Sequence, residues 1–384
     1  MRFDSIVLGA GMVGVSTALH LLKRGRSVAL VDRRNPVEET SYGNAGIIQT
    51  EAVMAYTFPR DLGKIITYAF NRHAESYLRY DALPDFAPWL YQYWRHGAQE
   101  EALRSAHGLQ PLISRSLEEH QSLVREAGAD ALLHHGGYLK LHRKPEDIEA
   151  AAKEQAHVRD LFGIPFEVLD AQGIQALEPH LTGMLGGIHL TRPVSVTDPA
   201  DLGKAYVELF RKLGGEVLVA DARTLEADGA GWQVQGADGP ISGREAVIAL
   251  GIWSRDVMAK LGAPVLLRAK RGYHMHYSSK GNATLSRPVF DADAGYVLAP
   301  MHQGIRLTTG VEFARTNAPP STRQIDLAEP VARQLYPLNE LIEDTPWLGR
   351  RPCFPDMLPA IGHIPGHPGL WANFGHQHLG FTLG

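Results

Sequence analysis

The sequence contains a single cysteine, Cys353, in 384 residues. One thiol cannot form a disulfide within the chain, and it cannot supply the several thiolates of a zinc or iron–sulfur cluster. The fold must therefore depend on a hydrophobic core. A lone cysteine is also typical of a reducing compartment, so we expect a cytoplasmic protein.

Neither sign of charge dominates. Lys and Arg number 38 against 42 Asp and Glu, a net charge of -4. The chain has no long basic run and no basic segment interleaved with aromatics of the kind that follows a phosphate backbone. We therefore expect no nucleic-acid partner.

Long apolar runs are scarce as well. The uncharged stretch Ile6–Leu22 is interrupted by glycines, and Asp4 stands where a signal peptide carries positive charge. No other segment approaches the roughly 20 apolar residues that span a bilayer. These absences predict a soluble protein, with peripheral contact at the inner face of a membrane left open.

The elements that are present predict an α/β fold. Strand Asp4–Leu8, helix Val13–Arg24 and strand Ser27–Val31 form a β-turn-α-β unit. Alternating residues from Ala269 to Tyr277 and from Tyr296 to Thr309 indicate antiparallel strands. We expect a Rossmann-like domain with a parallel sheet and an interleaved α+β substrate domain on a mainly antiparallel sheet. The predicted dinucleotide-binding domain comprises residues 1–80, 145–260 and 335–384, and the substrate domain comprises residues 81–144 and 261–334.

A glycine motif opens the helix of the first unit. Gly9, Gly11 and Gly14 match G-x-G-x-x-G, and Asp32 ends the next strand. The glycines allow a tight turn, close approach to a pyrophosphate and helix–strand packing, while the acid accepts bonds from ribose hydroxyls. Met12, Val13, Arg33 and Arg34 belong to the same predicted site.

The motif alone does not distinguish NAD from FAD. The segment Glu39–Ile48 that follows is rich in small and hydroxyl residues, which would let the backbone pass close to a second large ligand surface. A plain surface connection is the alternative interpretation.

The chain resembles the D-amino acid oxidase and dehydrogenase superfamily of FAD-dependent oxidoreductases, closest to the bacterial D-amino acid dehydrogenases. The motifs that carry this resemblance are spread over nearly the whole chain: Gly9–Gly14, Glu39–Ser41 with Asn44–Gly46, Thr197–Pro199, Ala249–Ser254, Gly349–Pro352 with Pro355-Asp356, and Gly375–Gly380.

The resemblance implies a non-covalent FAD, with Cys353 an ordinary thiol. It places one group of residues along the pyrophosphate and the flavin edge: Thr40, Ser41, Asn44, Ala45, Gly46, Ile47 and Ile48. It places a second group near the adenine, the ribityl chain and the flavin pyrimidine: Arg223, Ala249, Gly251, Trp253, Gly349, His378, Leu379, Gly380, Phe381 and Thr382.

An amino acid substrate offers a carboxylate, which a planar guanidinium holds with two parallel bonds. The resemblance assigns this role to Arg351, with Arg350 pointing elsewhere, and a structural ion pair is the alternative. Tyr273 would bond the carboxylate or simply fill the sheet face. His274 and His376 are weaker candidates for deprotonating the substrate amine.

Two other patterns have competing interpretations. Histidine pairs such as His274/His276 invite a metal site, which we disfavour because no matching carboxylate is evident in the sequence, and we predict no metal. The aromatic segment Tyr77–Trp94 would contact a membrane or, as we favour, form a packed helical face.

The implied reaction is oxidative deamination of a small amino acid, most simply a D-amino acid, in amino acid catabolism. Its electron acceptor would be a quinone, an electron-transfer partner or oxygen. Alternatives are oxidation of a secondary amine (sarcosine, glycine derivatives, proline or hydroxyproline) and a flavin-binding subunit of a larger complex. A colourless protein would indicate an NAD-linked dehydrogenase instead. Homo- and hetero-oligomers remain open.

Overall fold

The computed structural model describes residues 1–384 as a mixed α/β chain. Its nine α-helices are α1 Met12–Lys23, α2 Leu62–Ala69, α3 Leu83–His96, α4 Gln99–Ala127, α5 Pro145–Phe162, α6 Ala171–Leu177, α7 Pro199–Lys212, α8 Ser254–Lys260 and α9 Arg323–Leu335. No helix combines the length and the apolarity that crossing a bilayer would require.

Twenty-one strands complete the chain. They are β1 Arg2–Leu8, β2 Val28–Asp32, β3 Ile47–Ile48, β4 Ser76–Leu78, β5 Leu133–His135, β6 Tyr138–His142, β7 Glu167–Asp170, β8 Gly186–Leu190, β9 Val194–Val196, β10 Glu216–Asp228, β11 Gly231–Gly236, β12 Gly239–Ile248, β13 Arg268–Ser279, β14 Val289–Asp291, β15 Tyr296–Met301, β16 Gly304–Thr308, β17 Val311–Phe313, β18 Leu338–Leu341, β19 Trp347–Cys353, β20 Ala360–His363 and β21 Leu370–Phe374.

The first sheet has seven strands and a parallel centre. Strand β1 lies between β2 and β12 and is parallel to both, and β10 and β21 extend the parallel array. The end of β1 is almost continuously buried, as expected for a strand covered on both faces. Helices α1 and α7 pack together over one face, and their apolar side chains share one core with β1. This is the Rossmann-like half of the predicted fold class.

The second sheet has eleven strands and is mainly antiparallel. Its central strand β13 pairs with β16 and β17 on one edge and with β18 and β19 on the other. Helix α9 packs against it over a separate hydrophobic core. A small third sheet joins β3, β9 and β5.

Sheet membership differs from the predicted domain ranges at three places. Strand β4, the pair β7 and β8, and the pair β18 and β19 all belong to the second sheet, although each falls within a range assigned to the dinucleotide-binding domain. Each joins a strand that is distant in sequence, as when β8 pairs with β6 and β19 pairs with β13. Such pairing leaves no local signal in the chain.

The aromatic segment Tyr77–Trp94 begins in β4 and continues into helix α3, and helix α2 precedes it in the chain. Asn71 ends the first helical region with φ of 55°, and its side-chain amide bonds both the backbone N–H and the carbonyl of Leu78. Asparagine tolerates this left-handed conformation better than other non-glycine residues. The side chains of Phe86, Trp89 and Tyr93 on α3 are buried, whereas Tyr91 and Trp94 are exposed.

Candidate active site

A cavity of about 980 Å³ is lined by residues of both large sheets. Its wall includes most of the residues predicted from the sequence: Gly9, Gly11, Met12, Val13, Asp32, Arg33, Thr40, Ser41, Asn44, Ala45, Ile47, Arg223, Ala249, Gly251, Trp253, Tyr273, Gly349, Arg351, His376, His378, Gly380 and Phe381. Seven predicted residues lie outside the wall: Gly14, Arg34, Gly46, Ile48, His274, Leu379 and Thr382.

The N-terminus of α1 forms one end of the cavity. Its N-cap residue Gly11 supplies no side-chain bond, and the first turn carries no acidic residue. The N–H of Met12 donates to Ser41 Oγ at 3.0 Å. Exposed N–H groups and the positive end of the helix dipole make this position suited to a phosphate.

Close backbone packing explains two of the three glycines. Gly9 has φ of 105°, and a Cβ on Gly14 would lie 1.7 Å from the carbonyl oxygen of Gly9. By contrast, a Cβ on Gly11 would meet only Ser41 Oγ, at 3.4 Å. Gly14 is therefore required by helix–strand packing, whereas Gly11 keeps space open on the cavity side.

Asp32 lies at the carboxyl end of β2, beside the glycine turn. One carboxylate oxygen accepts from the N–H of Ala10 at 2.8 Å, and the other accepts from the N–H of Arg34 at 3.2 Å. These bonds hold the carboxylate at the cavity wall with lone pairs available for ribose hydroxyls. The guanidinium of Arg33 lies 4.7 Å from the Trp253 ring centre, next to this site.

The loop after β2 and the C-terminal segment are joined by hydrogen bonds. The N–H of Gln49 donates to Thr382 Oγ1 at 3.1 Å, and Asn44 accepts from the N–H of Gly46 at 2.9 Å. Gly46 has positive φ, and a Cβ there would lie 2.4 Å from Val196 O. Gly46 and Thr382 thus support the wall without lining it.

The two faces of β13 have different surroundings. Lys270 pairs directly with Arg351 on β19, and Arg271 pairs with Arg350. Because side chains alternate across a strand, Lys270 and Arg351 share the cavity face, whereas Arg271 and Arg350 share the opposite face. Only Lys270 and Arg351 of these four line the cavity. Arg350 Nε donates to Thr316 O at 2.9 Å.

The guanidinium of Arg351 lies above Gly272. A Cβ at Gly272 would lie 2.5 to 2.7 Å from the guanidinium atoms, so the absent side chain makes room for the head group. Its Nη atoms donate to Gly310 O at 2.8 Å and Thr309 O at 3.4 Å. Burial lowers the pKa of Arg351. A carboxylate can take its remaining donors.

Tyr273 belongs to a buried network on the opposite face of β13. Its hydroxyl donates to Glu312 at 2.6 Å and accepts from Arg271 Nη2 at 2.9 Å and the N–H of Ser321 at 3.1 Å. Burial and the neighbouring Glu312 carboxylate raise the pKa of Tyr273 to about 12. The hydroxyl is fully engaged, which favours the structural interpretation of this residue.

The predicted histidines occupy different places. His376 and His378 line the cavity, and burial lowers the pKa of His376 to about 4 and that of His378 to about 3. Both are therefore neutral at pH 7. His274 is stacked on Trp347 with ring centres 4.9 Å apart, and its Nδ1 lies 3.2 Å from Gly43 O. It does not reach the cavity.

The pair His274 and His276 has a carboxylate partner that the sequence did not reveal. Potential ligand atoms of these two and Glu343 lie within 4.8 Å of one another. However, Nδ1 of His276 bonds Glu343 at 2.8 Å, and Arg306 Nε donates to His276 Nε2 at 2.9 Å. An adjacent guanidinium and an occupied ring nitrogen disfavour a metal cation at this cluster.

Lys270 was not predicted from the sequence. Its strand was predicted, but the face it occupies depends on pairing with β19, which is about eighty residues away in the chain. The only local indication is that Lys270 and Gly272 are two residues apart and therefore share one face of the strand. That indication points to the cavity only once the Arg351 head group is known to lie over Gly272.

The comparisons with known proteins agree with this geometry. A family model described as "FAD dependent oxidoreductase" matches residues 4–384. The chain belongs to this family. It is 28% identical over 394 residues to a protein named D-amino-acid oxidase from Bradyrhizobium diazoefficiens, covering 98% of this chain and 91% of that protein.

Solved structures share the fold. Glycine oxidase from Geobacillus kaustophilus superposes with a TM-score of 0.76 at 20% identity, covering 100% of this chain and 91% of that one. L-proline dehydrogenase from P. horikoshii superposes with a TM-score of 0.71 at 17% identity, covering 100% and 90%. The cofactor of this family is FAD, and the uncapped α1 N-terminus, the space at Gly11 and the fixed Asp32 carboxylate fit its dinucleotide portion.

Proposed function

We propose that this protein oxidises the Cα–N bond of a small D-amino acid, giving an imino acid that water hydrolyses to a keto acid and ammonia. The observation that carries the proposal is the cavity-facing guanidinium of Arg351 over Gly272, with donors free for a carboxylate. The similarity to a protein named D-amino-acid oxidase supports the D configuration.

Bound FAD would supply the two-electron oxidant for the substrate Cα–N bond. Arg351 holds the α-carboxylate and so fixes the orientation of Cα. The positive charge of Arg351 disfavours the ammonium form of the bound substrate, so the reactive neutral amine forms more readily. His376 and His378, both neutral at pH 7, can accept a hydrogen bond from that amine.

The test is an anaerobic panel of D- and L-amino acids and secondary amines, with flavin bleaching as the readout. We expect bleaching by D-amino acids and little by the L enantiomers. Bleaching by N-methylglycine or proline alone would assign a secondary-amine substrate instead. Readmission of oxygen, and then addition of a soluble quinone, distinguishes an oxidase from a dehydrogenase.

A further inference from the structure

Two cations face the cavity from adjacent strands without a carboxylate partner. Lys270 and Arg351 are direct partners in the β13–β19 ladder. Burial lowers the pKa of Lys270 to about 8, with Arg351 as a further cause, and no carboxylate is among the groups that shift either residue. The nearby thiol of Cys353 is not a counter-charge, because burial raises its pKa.

Two aromatic rings lie beside the Lys270 ammonium. Its Nζ lies 3.8 Å from the Tyr93 ring centre and 5.3 Å from the Trp89 ring centre, and its hydrogen-bond acceptor is Met357 Sδ at 3.6 Å. A thioether is a weak acceptor, and a buried ammonium without a strong acceptor is unfavourable. An apolar side chain would fill this space without the cost of burying a charge. We therefore infer that the Lys270 ammonium binds an anionic group of a ligand.

The two cations lie at different positions along the cavity face. The Arg351 head group lies over Gly272, two residues along β13 from Lys270. Two residues of a strand are offset by about 7 Å along the backbone. An α-carboxylate held by Arg351 leaves the Lys270 ammonium without an anion. We propose that the substrate carries a second carboxylate, which Lys270 binds while Arg351 binds the α-carboxylate.

This inference rests on the proposed function and narrows its substrate class. The second carboxylate has two chemical sources: the side chain of an acidic amino acid, or a carboxyalkyl group on the substrate nitrogen. Both place two carboxylates a few bonds apart on one small amine. Lys270 is then a specificity-determining residue that takes no part in the redox step.

The first test compares acids with their isosteric amides. D-aspartate is compared with D-asparagine, D-glutamate with D-glutamine, and N-(carboxymethyl)glycine with its monoamide, by anaerobic flavin reduction. We expect kcat/KM to be at least about tenfold higher for the acid in one of these arms, since hydrogen bonds to charged groups contribute about that much. The arm that responds identifies the source of the second carboxylate.

The second test assigns the preference to Lys270. In Lys270→Met the acid-to-amide ratio should fall to about one with flavin content unchanged, and Lys270→Arg should recover part of it. Lys140→Met is the control, because the Lys140 ammonium already lies 4.0 Å from Glu154, and its ratio should match that of the unsubstituted protein. A ratio retained in Lys270→Met would overturn the proposal.

A binding measurement keeps the test independent of turnover. Calorimetric titration of the holoenzyme with succinate and with butyrate should show at least about tenfold tighter binding of the dicarboxylate, lost in Lys270→Met. Equal acid and amide rates with active neutral amino acids would refute the second carboxylate but leave the proposed function intact. If no amine reduces the flavin, the proposed function fails, while succinate binding still decides the role of Lys270.

Discussion

At the scale of single residues, the two adjacent arginines have opposite environments. Arg351 faces the cavity and Arg350 faces Thr316. We expect Arg351→Ala to lower kcat/KM by about a hundredfold, because the substrate carboxylate loses a charge-assisted partner. Arg351→Lys should also fail in large part, since an ammonium cannot reproduce two parallel bonds. Steady-state kinetics with FAD content measured in parallel is the check.

Arg350→Ala is the matched control for this prediction. Its side chain bonds a backbone carbonyl on the far side of the strand, so the loss should be much smaller. Equal losses in both variants, or loss of FAD rather than turnover from Arg351→Ala, would mean that the pair is structural.

Gly272 provides a separate test of where the guanidinium lies. A methyl group there would occupy the space of the Arg351 head group, which is the mobile end of a side chain and can move. We expect Gly272→Ala to fold normally but to raise KM about tenfold or more, in proportion to a weakened charged hydrogen bond. Gly63→Ala in the exposed helix α2 controls for the change of residue type. An unchanged KM would show that substrate does not contact Arg351 in this position.

At the scale of elements, two glycines at the N-terminus of α1 have different roles: Gly14 allows helix–strand packing, and Gly11 keeps space open for the cofactor. Gly14→Ala would place a methyl group 1.7 Å from a backbone oxygen, so both folding of this unit and FAD binding should be lost. The Cβ of Gly11→Val would meet only Ser41 Oγ, at 3.4 Å, so the chain should fold with a near-normal circular dichroism spectrum but without flavin. Stoichiometric flavin in folded Gly11→Val would show that the pyrophosphate does not approach this residue.

Local elements were predictable where the signal was local. The β1–α1–β2 unit follows from apolar periodicity, and helix α7 begins at a local cap, because the Asp198 side chain accepts from the N–H groups of Ala200 and Asp201. The end of the α2 region is harder to predict from sequence, because it depends on a positive φ at Asn71. The sheet to which β7, β8, β18 and β19 belong could not be predicted, because each sheet includes strands that are distant in the chain.

The candidate site shows the same limit. The cofactor residues lie in contiguous motifs, and most of them line the cavity. Substrate residues are brought together by strand register. Adjacent residues of a strand face opposite sides of the sheet. Tyr273 therefore joins a network with Glu312, while its neighbour Gly272 faces Arg351. Sequence spacing alone could therefore name Arg351 but neither exclude His274 nor find Lys270.

At the scale of the whole molecule, the cofactor should be FAD held without a covalent bond. The only thiol, Cys353, is buried, and burial raises its pKa, which disfavours the nucleophilic thiolate. The purified protein should be yellow, and denaturation should release all of the flavin as FAD. Chromatography of the supernatant after acid precipitation is the measurement. FMN in the supernatant, or flavin retained in the pellet, would contradict this.

The last prediction concerns stability, because a buried cation kept for a ligand should destabilise the ligand-free protein. The pKa of Lys270 falls from 10.5 to about 8 on folding, so the unfolded chain binds more protons between these values and stability rises with pH through that window. Below pH 8 the full cost, about 3 kcal/mol, is present. Lys270→Met should therefore raise the melting temperature of the holoenzyme at pH 7.

This gain should shrink from pH 8 towards pH 10.5, because the folded protein then carries a neutral lysine in place of the cation. Saturating succinate should narrow the difference by about 1.4 kcal/mol, since it binds about tenfold more tightly to the unsubstituted protein than to a variant that keeps only Arg351. Scanning fluorimetry at several pH values, with and without succinate, measures both effects. A lower melting temperature for Lys270→Met at pH 7 would show that the cation–π contacts with Tyr93 and Trp89 outweigh the desolvation of the charge.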